Sequence, residues 1–158
     1  MPVSPLPLSK TALPAQGWPV GQPTPRVFIC DDDLAFAEEM SRGLAALGFR
    51  TATLAGEQKP VRAIKAFNPD VVLLDIFMPE PNGFEILNQV IEEPALRALP
   101  YILMSGTDTG LLDVAHRFCT GHKLRVAGIY QKPLRIAEVS RACRLAATSA
   151  YATPLADG

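Results

Sequence analysis

Long hydrophobic runs are missing from this 158-residue sequence, and none approaches the ~20 residues that a bilayer span requires. The amino terminus has no basic start and no unbroken apolar segment, because prolines interrupt it, so it does not read as a secretory signal. Cysteine is scarce. The three present, an odd number without regular spacing, argue for reduced thiols in a cytoplasmic setting. Charge of one sign is also lacking, and a net charge of −1 offers no field to draw nucleic acid or an anionic membrane. There is no Gly-x-Gly-x-x-Gly and no Gly-Lys-Ser/Thr to cradle a phosphate, which leaves a dinucleotide or nucleoside triphosphate enzyme unsupported. What remains is ordinary hydrophobic content with mixed charge, in a length that fits one globular domain.

Proline is concentrated at one end. Residues 1–25 hold seven of the fifteen prolines and a single charged side chain, Lys10. Such a segment cannot bury enough surface to offset its ordering entropy, so it reads as a disordered or partly extended tail. Its Pro-x-x-Pro spacing at Pro2 and Pro5 is what chance gives in so Pro-rich a stretch. From Arg26 to Ala147 short apolar strands alternate with helical patterns, which predicts a doubly wound α/β domain; 148–158 is a second tail. Phe36, Met40, Leu44 and Leu47 follow helical spacing up to Gly48, which suits a C-cap. Thr51–Leu54 is short and polar, as expected of an edge strand. Further helices are expected from Pro60 to Phe67, Gly83 to Glu92, Leu111 to Thr120 and Leu134 to Ala147. Cys30 and Cys143 read as small core residues.

The strands Val27–Cys30, Val71–Leu74, Tyr101–Met104 and Val126–Tyr130 are nearly continuous apolar runs, which suits a parallel sheet buried on both faces. In such a sheet all carboxyl ends lie on one side, and ligands bind in the crevice there. Asp31, Asp32, Asp75, Ser105 and Lys132 each follow a strand, so the fold should bring them into one pocket. Acids gathered together repel unless a cation sits among them. A hard divalent ion with oxygen ligands is the natural guest, and Mg²⁺ commonly arrives with a phosphate. The pattern therefore points to phosphoryl transfer.

Three segments carry the pattern: Cys30-Asp31-Asp32-Asp33; Asp75-Ile76-Phe77-Met78-Pro79-Glu80-Pro81-Asn82-Gly83; and Gln131-Lys132-Pro133, with Ser105 between the last two. Together they resemble the receiver domain of two-component response regulators over about residues 26–147. The segment from Leu111 to Pro133 resembles receivers attached to cyclic-di-GMP phosphodiesterase domains. The resemblance implies a five-stranded parallel sheet in the order 2-1-3-4-5 with five helices. It implies that Asp75 accepts a phosphoryl group from a sensor histidine kinase. It implies Mg²⁺ on Asp31, Asp32, Asp75 and the Phe77 carbonyl, with Lys132 neutralising charge and Ser105 bonding the new phosphoryl oxygen. An unidentified downstream protein would read the change, and the last two helices with the last strand would form a dimer face carrying Arg135, Glu138, Arg141 and Arg144.

The chain departs from that family at three places. Ile129 stands where the family usually has the aromatic switch residue, and Tyr130 follows one place later, on the opposite face of a regular strand. Phe77 and Thr107 occupy the positions that flank the path of the hydrolytic water, and neither carries a carboxylate or amide. A long-lived phosphorylated form is expected. Plainer roles suit several residues: Asp33 as a helix cap, Ser105 as a turn residue, Met78-Pro79 and Gly83 as loop geometry, with Gly83 a candidate for positive φ. His116, Cys119 and His122 have the spacing of metal ligands, but surface histidines around a core cysteine are the simpler reading. Two other classes compete with a signalling switch: a Mg²⁺-dependent phosphatase with an Asp nucleophile, which needs an acid where Phe77 stands, and a receiver-like scaffold without phosphorylation.

Overall fold

The computed structural model describes residues 24–54, 59–79, 82–106 and 109–152. Apart from Thr24 and Pro25, the tail expected over 1–25 lies outside the described residues, as do Thr107 and Glu80-Pro81. Strands β1 (Arg26–Cys30), β2 (Arg50–Thr53), β3 (Val71–Asp75), β4 (Pro100–Ser105) and β5 (Arg125–Gln131) form one sheet in the order β2-β1-β3-β4-β5. Every neighbouring pair is parallel. The expected α/β order is therefore present.

Strand alternation divides the core. Phe28, Cys30, Val72, Leu74, Tyr101 and Leu103 face one side, where they meet α2 (Pro60–Phe67), α3 (Gly83–Ile91) and α5 (Thr109–Gly121). Val27, Ile29, Val71, Leu73, Ile102 and Met104 face the other, against α1 (Leu34–Ala46) and α6 (Ile136–Ala152). With β1, β3 and β4 covered on both faces, their near-continuous apolar sequence is what burial requires.

Several details correct the sequence reading. Among the described residues there are six helices rather than five; the extra one is a single turn, α4 (Pro94–Arg97), too short to leave a periodic pattern. Pro94 fits its first position, where no N–H is needed, and Leu96 plugs into the core. Leu47 falls outside α1 and is 38% exposed, while Gly48 beyond it has φ +100, which favours glycine. The last helix begins at Ile136 and runs on to Ala152, past the expected end at Ala147.

The largest correction concerns β5. It is an edge strand whose residues alternate between exposed and half-buried, so it is not buried on both faces. It also carries a bulge: Tyr101 pairs with Val126, but Ile102 pairs with Gly128, which leaves Ala127 as the extra residue. The bulge changes which face each side chain meets. Val126 packs toward α5 with the first core, whereas Tyr130 packs toward α6 with the second.

Candidate functional site

The carboxyl ends of β1, β3, β4 and β5 bring the expected residues together. Asp31 follows β1 and is buried; Asp75 ends β3 and is 4% exposed; Ser105 ends β4 and is buried; Lys132 follows β5. Asp32 is exposed at the rim. Asp31, Asp32 and Asp75 each present a carboxylate oxygen within 4.8 Å of the others, a donor set that suits a hard divalent cation. The Lys132 ammonium donates to Asp31 Oδ2 at 2.6 Å and to Asp75 Oδ2 at 3.3 Å.

Backbone contacts fix these side chains in place. Lys132 N–H donates to the Ser105 carbonyl at 2.9 Å, which ties the β5 end to the β4 end. Ile76 N–H donates to the Met104 carbonyl at 2.9 Å, extending the β3–β4 ladder past Asp75. Asp75 Oδ1 accepts from the Phe77 N–H at 3.2 Å, and Asp31 Oδ1 accepts from the Asp33 N–H at 2.9 Å. Asp33 itself caps α1 by accepting from Phe36 N–H at 3.1 Å, the plain role read for it. Asn82 and Glu85 form a reciprocal capping box that starts α3 just beyond the loop that follows Asp75.

Gly83 closes that loop for a reason other than the one anticipated. Its φ is not positive; instead its N–H donates to the Ile76 carbonyl at 3.0 Å, and a Cβ there would stand 2.5 Å from Ile76 Cα. Close backbone approach, not backbone conformation, is what excludes a side chain.

Charge is unbalanced in the pocket, since three carboxylates face one ammonium. Burial first, then the Asp31 charge, push the Asp75 carboxyl up to about 6, against the pull of Lys132 and the Phe77 N–H. Burial pulls the Lys132 ammonium down, but its bond to Asp31 and the charges of Asp31 and Asp75 outweigh that and raise it. Cys30, next to these acids, is pushed up to about 12 by burial and by Asp31, Asp75 and Asp32, so it remains an inert core thiol.

Apolar side chains also border this pocket. Phe77 is 62% exposed, so no acid stands two places after Asp75 to serve as a second catalytic group. On the α1 side a groove of about 660 Å³ is lined by Phe36, Met40, Gly43, Pro133, Leu134 and Ile136, with Glu39 and Lys132 as its charged members. Phe36 follows the helical spacing of α1, and Lys132 Nζ lies 4.2 Å from its ring centroid. The available signal was its position one turn into a helix whose amino end opens onto the acids.

Ile129 is 37% exposed on the α5 side, while Tyr130 lines a second groove of about 340 Å³ with Arg125, Glu138 and Arg141. The His116, Cys119, His122 set does not assemble: Cys119 is buried and both histidines are exposed, with the His122 ring tilted at 45° to Phe118 and 4.6 Å from it. Among the described residues the three aspartates are the only cluster of that kind.

Comparison with known proteins agrees with this geometry. The family model of the response regulator receiver domain matches residues 27–143. The two-component response regulator ORR3 of Oryza sativa subsp. indica is 29% identical over 125 residues, covering 78% of this chain and 92% of that protein. Protein RcaC of Microchaete diplosiphon is 34% identical over 80 residues, which is 51% of this chain but only 12% of that protein. A response regulator receiver domain protein from Clostridium thermocellum shares the fold with a TM-score of 0.67 at 19% identity, over 80% of this chain and 97% of that one. No helix among the described residues is long and apolar enough to cross a membrane. A flavodoxin-like sheet, an aspartate cluster at its carboxyl edge and the family match lead to one statement: this chain belongs to the response regulator receiver domain family, a signalling domain of two-component systems.

Proposed function

We propose that this receiver is a phosphorylation switch in which Asp75 is the phosphoryl acceptor. The observation that carries the reading is the convergence of a buried Asp75 carboxylate with Asp31 and the Lys132 ammonium, at 2.6 and 3.3 Å, from strands far apart in sequence. In the transfer an Asp75 oxygen attacks phosphorus, the phosphorus–nitrogen bond of a kinase phosphohistidine breaks, and the imidazole leaves with a proton. A carboxylate is a competent covalent nucleophile, and such transfer depends mostly on positioning and on neutralising charge. Asp31, Asp32 and Asp75, with the Phe77 carbonyl, would hold Mg²⁺, which when bound offsets the charge of the phosphoryl oxygens. Lys132 supplies fixed positive charge beside Asp75, and the Ser105 hydroxyl bonds the new phosphoryl oxygen.

The groove beside α1, largely apolar and edged by Glu39 and Lys132, gives a sensor kinase a surface to bury while its phosphohistidine reaches Asp75. Ser105 and Lys132 carry the shape change, because Ser105 pairs with Gln131 and its carbonyl holds Lys132 N–H. Tyr130 adjoins that pair, so the change is read on the β5–α6 face, where Glu138 and Arg141 flank the ring. A downstream protein or a second copy of the chain would dock there. Ile129, an aliphatic at the surface, contributes less to the readout, and Phe77, with Thr107, leaves the hydrolytic water without an orienting group.

Intact mass after incubation with Mg²⁺ and phosphoramidate tests this. Gain of one phosphoryl group, absent with EDTA and absent in Asp75→Ala, is expected. Steady release of phosphate from monoesters without an adduct would replace the switch by a hydrolase.

A further inference from the structure

We propose that Phe36 is a positioning residue for Lys132, holding the ammonium over Asp75 through the face of its ring; this rests on the phosphoacceptor reading above. Lys132 Nζ lies 4.2 Å from the Phe36 centroid, within the range of a cation–π contact. The ammonium thus has two carboxylates and an aromatic ring within its reach. Phe36 is itself fixed: its N–H is tied to the Asp33 cap, and its half-buried ring packs against the second core.

The chemistry explains why a ring belongs there. Lysine is a point charge on a flexible stem, and its shortest contact is with Asp31 at 2.6 Å, not with the acceptor at 3.3 Å. Asp31 is also one of the oxygens offered to a cation, so a divalent ion on Asp31 takes away the firmest hold on Lys132. The ring remains. It attracts the ammonium without being charged, so it neither competes for the metal nor cancels the positive charge that the phosphoryl oxygens need. With only 18% of its side chain exposed, Lys132 is sheltered enough for such a contact to count. Lys132 and Phe36 both line the groove of the α1 side.

The experiment compares Phe36→Leu and Phe36→Met, which keep an apolar side chain without a ring, with Phe36→Tyr and Phe36→Trp, which keep the ring. In metal-free protein, the Lys132 ε-methylene protons should show an upfield ring-current shift in wild type, Tyr and Trp, and lose it in Leu and Met. With phosphoramidate at saturating Mg²⁺, Leu and Met should phosphorylate about fivefold more slowly than wild type, with Tyr restoring the rate. Half-saturating Mg²⁺ should be unchanged. In a Lys132→Ala background, Phe36→Leu should have no further effect. An unshifted ε-methylene in wild type, or an equal loss of rate with and without Lys132, overturns the proposal. Failure of wild type to take up any phosphoryl group overturns the acceptor reading instead, and the ring-current comparison still decides whether Phe36 holds Lys132.

Discussion

Removing the charge of Asp75 while keeping its shape should stabilise the metal-free protein. The carboxyl sits at the end of a wholly buried strand, and burial followed by the Asp31 charge moves it from the ordinary 3.8 up to about 6. An acid that holds its proton more tightly when folded stabilises the fold below its unfolded titration point. That contribution is lost as the pH rises through about 6. Near neutrality the ionised form therefore costs the fold about 3 kcal/mol relative to a neutral side chain in the same place. That figure already includes the attraction of Lys132, so Asp75→Asn removes the whole cost, but its single amide oxygen cannot keep both the Phe77 N–H and the Lys132 bond, a loss of about 1 kcal/mol. A net gain of about 2 kcal/mol, or about 6 °C in Tm for a domain of this size, is expected. Thermal unfolding of wild type and variant in EDTA, at about pH 7.5 and about pH 5, measures it. The gap should be wide at the higher pH, narrow at the lower one, and narrow again when Mg²⁺ is added to the wild type. A variant no more stable than wild type near neutrality, or a gap indifferent to pH, refutes the reasoning.

Phe77→Asn should shorten the life of the phosphorylated form by about an order of magnitude, less than a full proton-transfer group contributes because an amide only orients the water. Decay of the intact-mass adduct reads it, and an unchanged or longer lifetime counts against the role given to Phe77. Gly83→Ala should cost about 2 kcal/mol, since a Cβ would lie 2.5 Å from Ile76 Cα and 2.9 Å from the Asp75 carbonyl oxygen. Chemical denaturation checks this, with a concurrent loss of phosphorylation because the same loop positions Asp75. Gly128→Ala should lift the Tyr130 ring off the strand, its Cβ being 2.9 Å from Tyr130 Cε2, at a stability cost of about 1 kcal/mol. Tyr130 ring resonances should move while the rate of phosphorylation by phosphoramidate is unchanged.

The sheet and the pocket were legible because each candidate side chain directly follows a short apolar run. Asp31, Asp75, Ser105 and Lys132 could be placed together from that alone, given that parallel strands end on one side. Less was legible where geometry leaves no mark on residue type. Ala127 looks like any apolar strand residue, yet it is the extra residue that turns Tyr130 toward α6. Phe36 has helical spacing, and spacing cannot distinguish a ring that only packs from a ring that also meets an ammonium. Gly83 was recognisable as special, but its reason, an approach of two backbones, depends on a contact with Ile76 that only the folded loop supplies. The openness of β5 was missed because an apolar run at a sheet edge reads like one at its centre.

The central claim is that Asp75 carries the phosphoryl group. Borohydride reduction of the protein after phosphorylation, followed by peptide sequencing by mass spectrometry, tests it most directly, since an acyl phosphate is reduced to homoserine. The account predicts homoserine at position 75 alone, dependent on Mg²⁺. Homoserine at position 31 or 32, or an adduct that resists borohydride and maps to a histidine or serine, would contradict it.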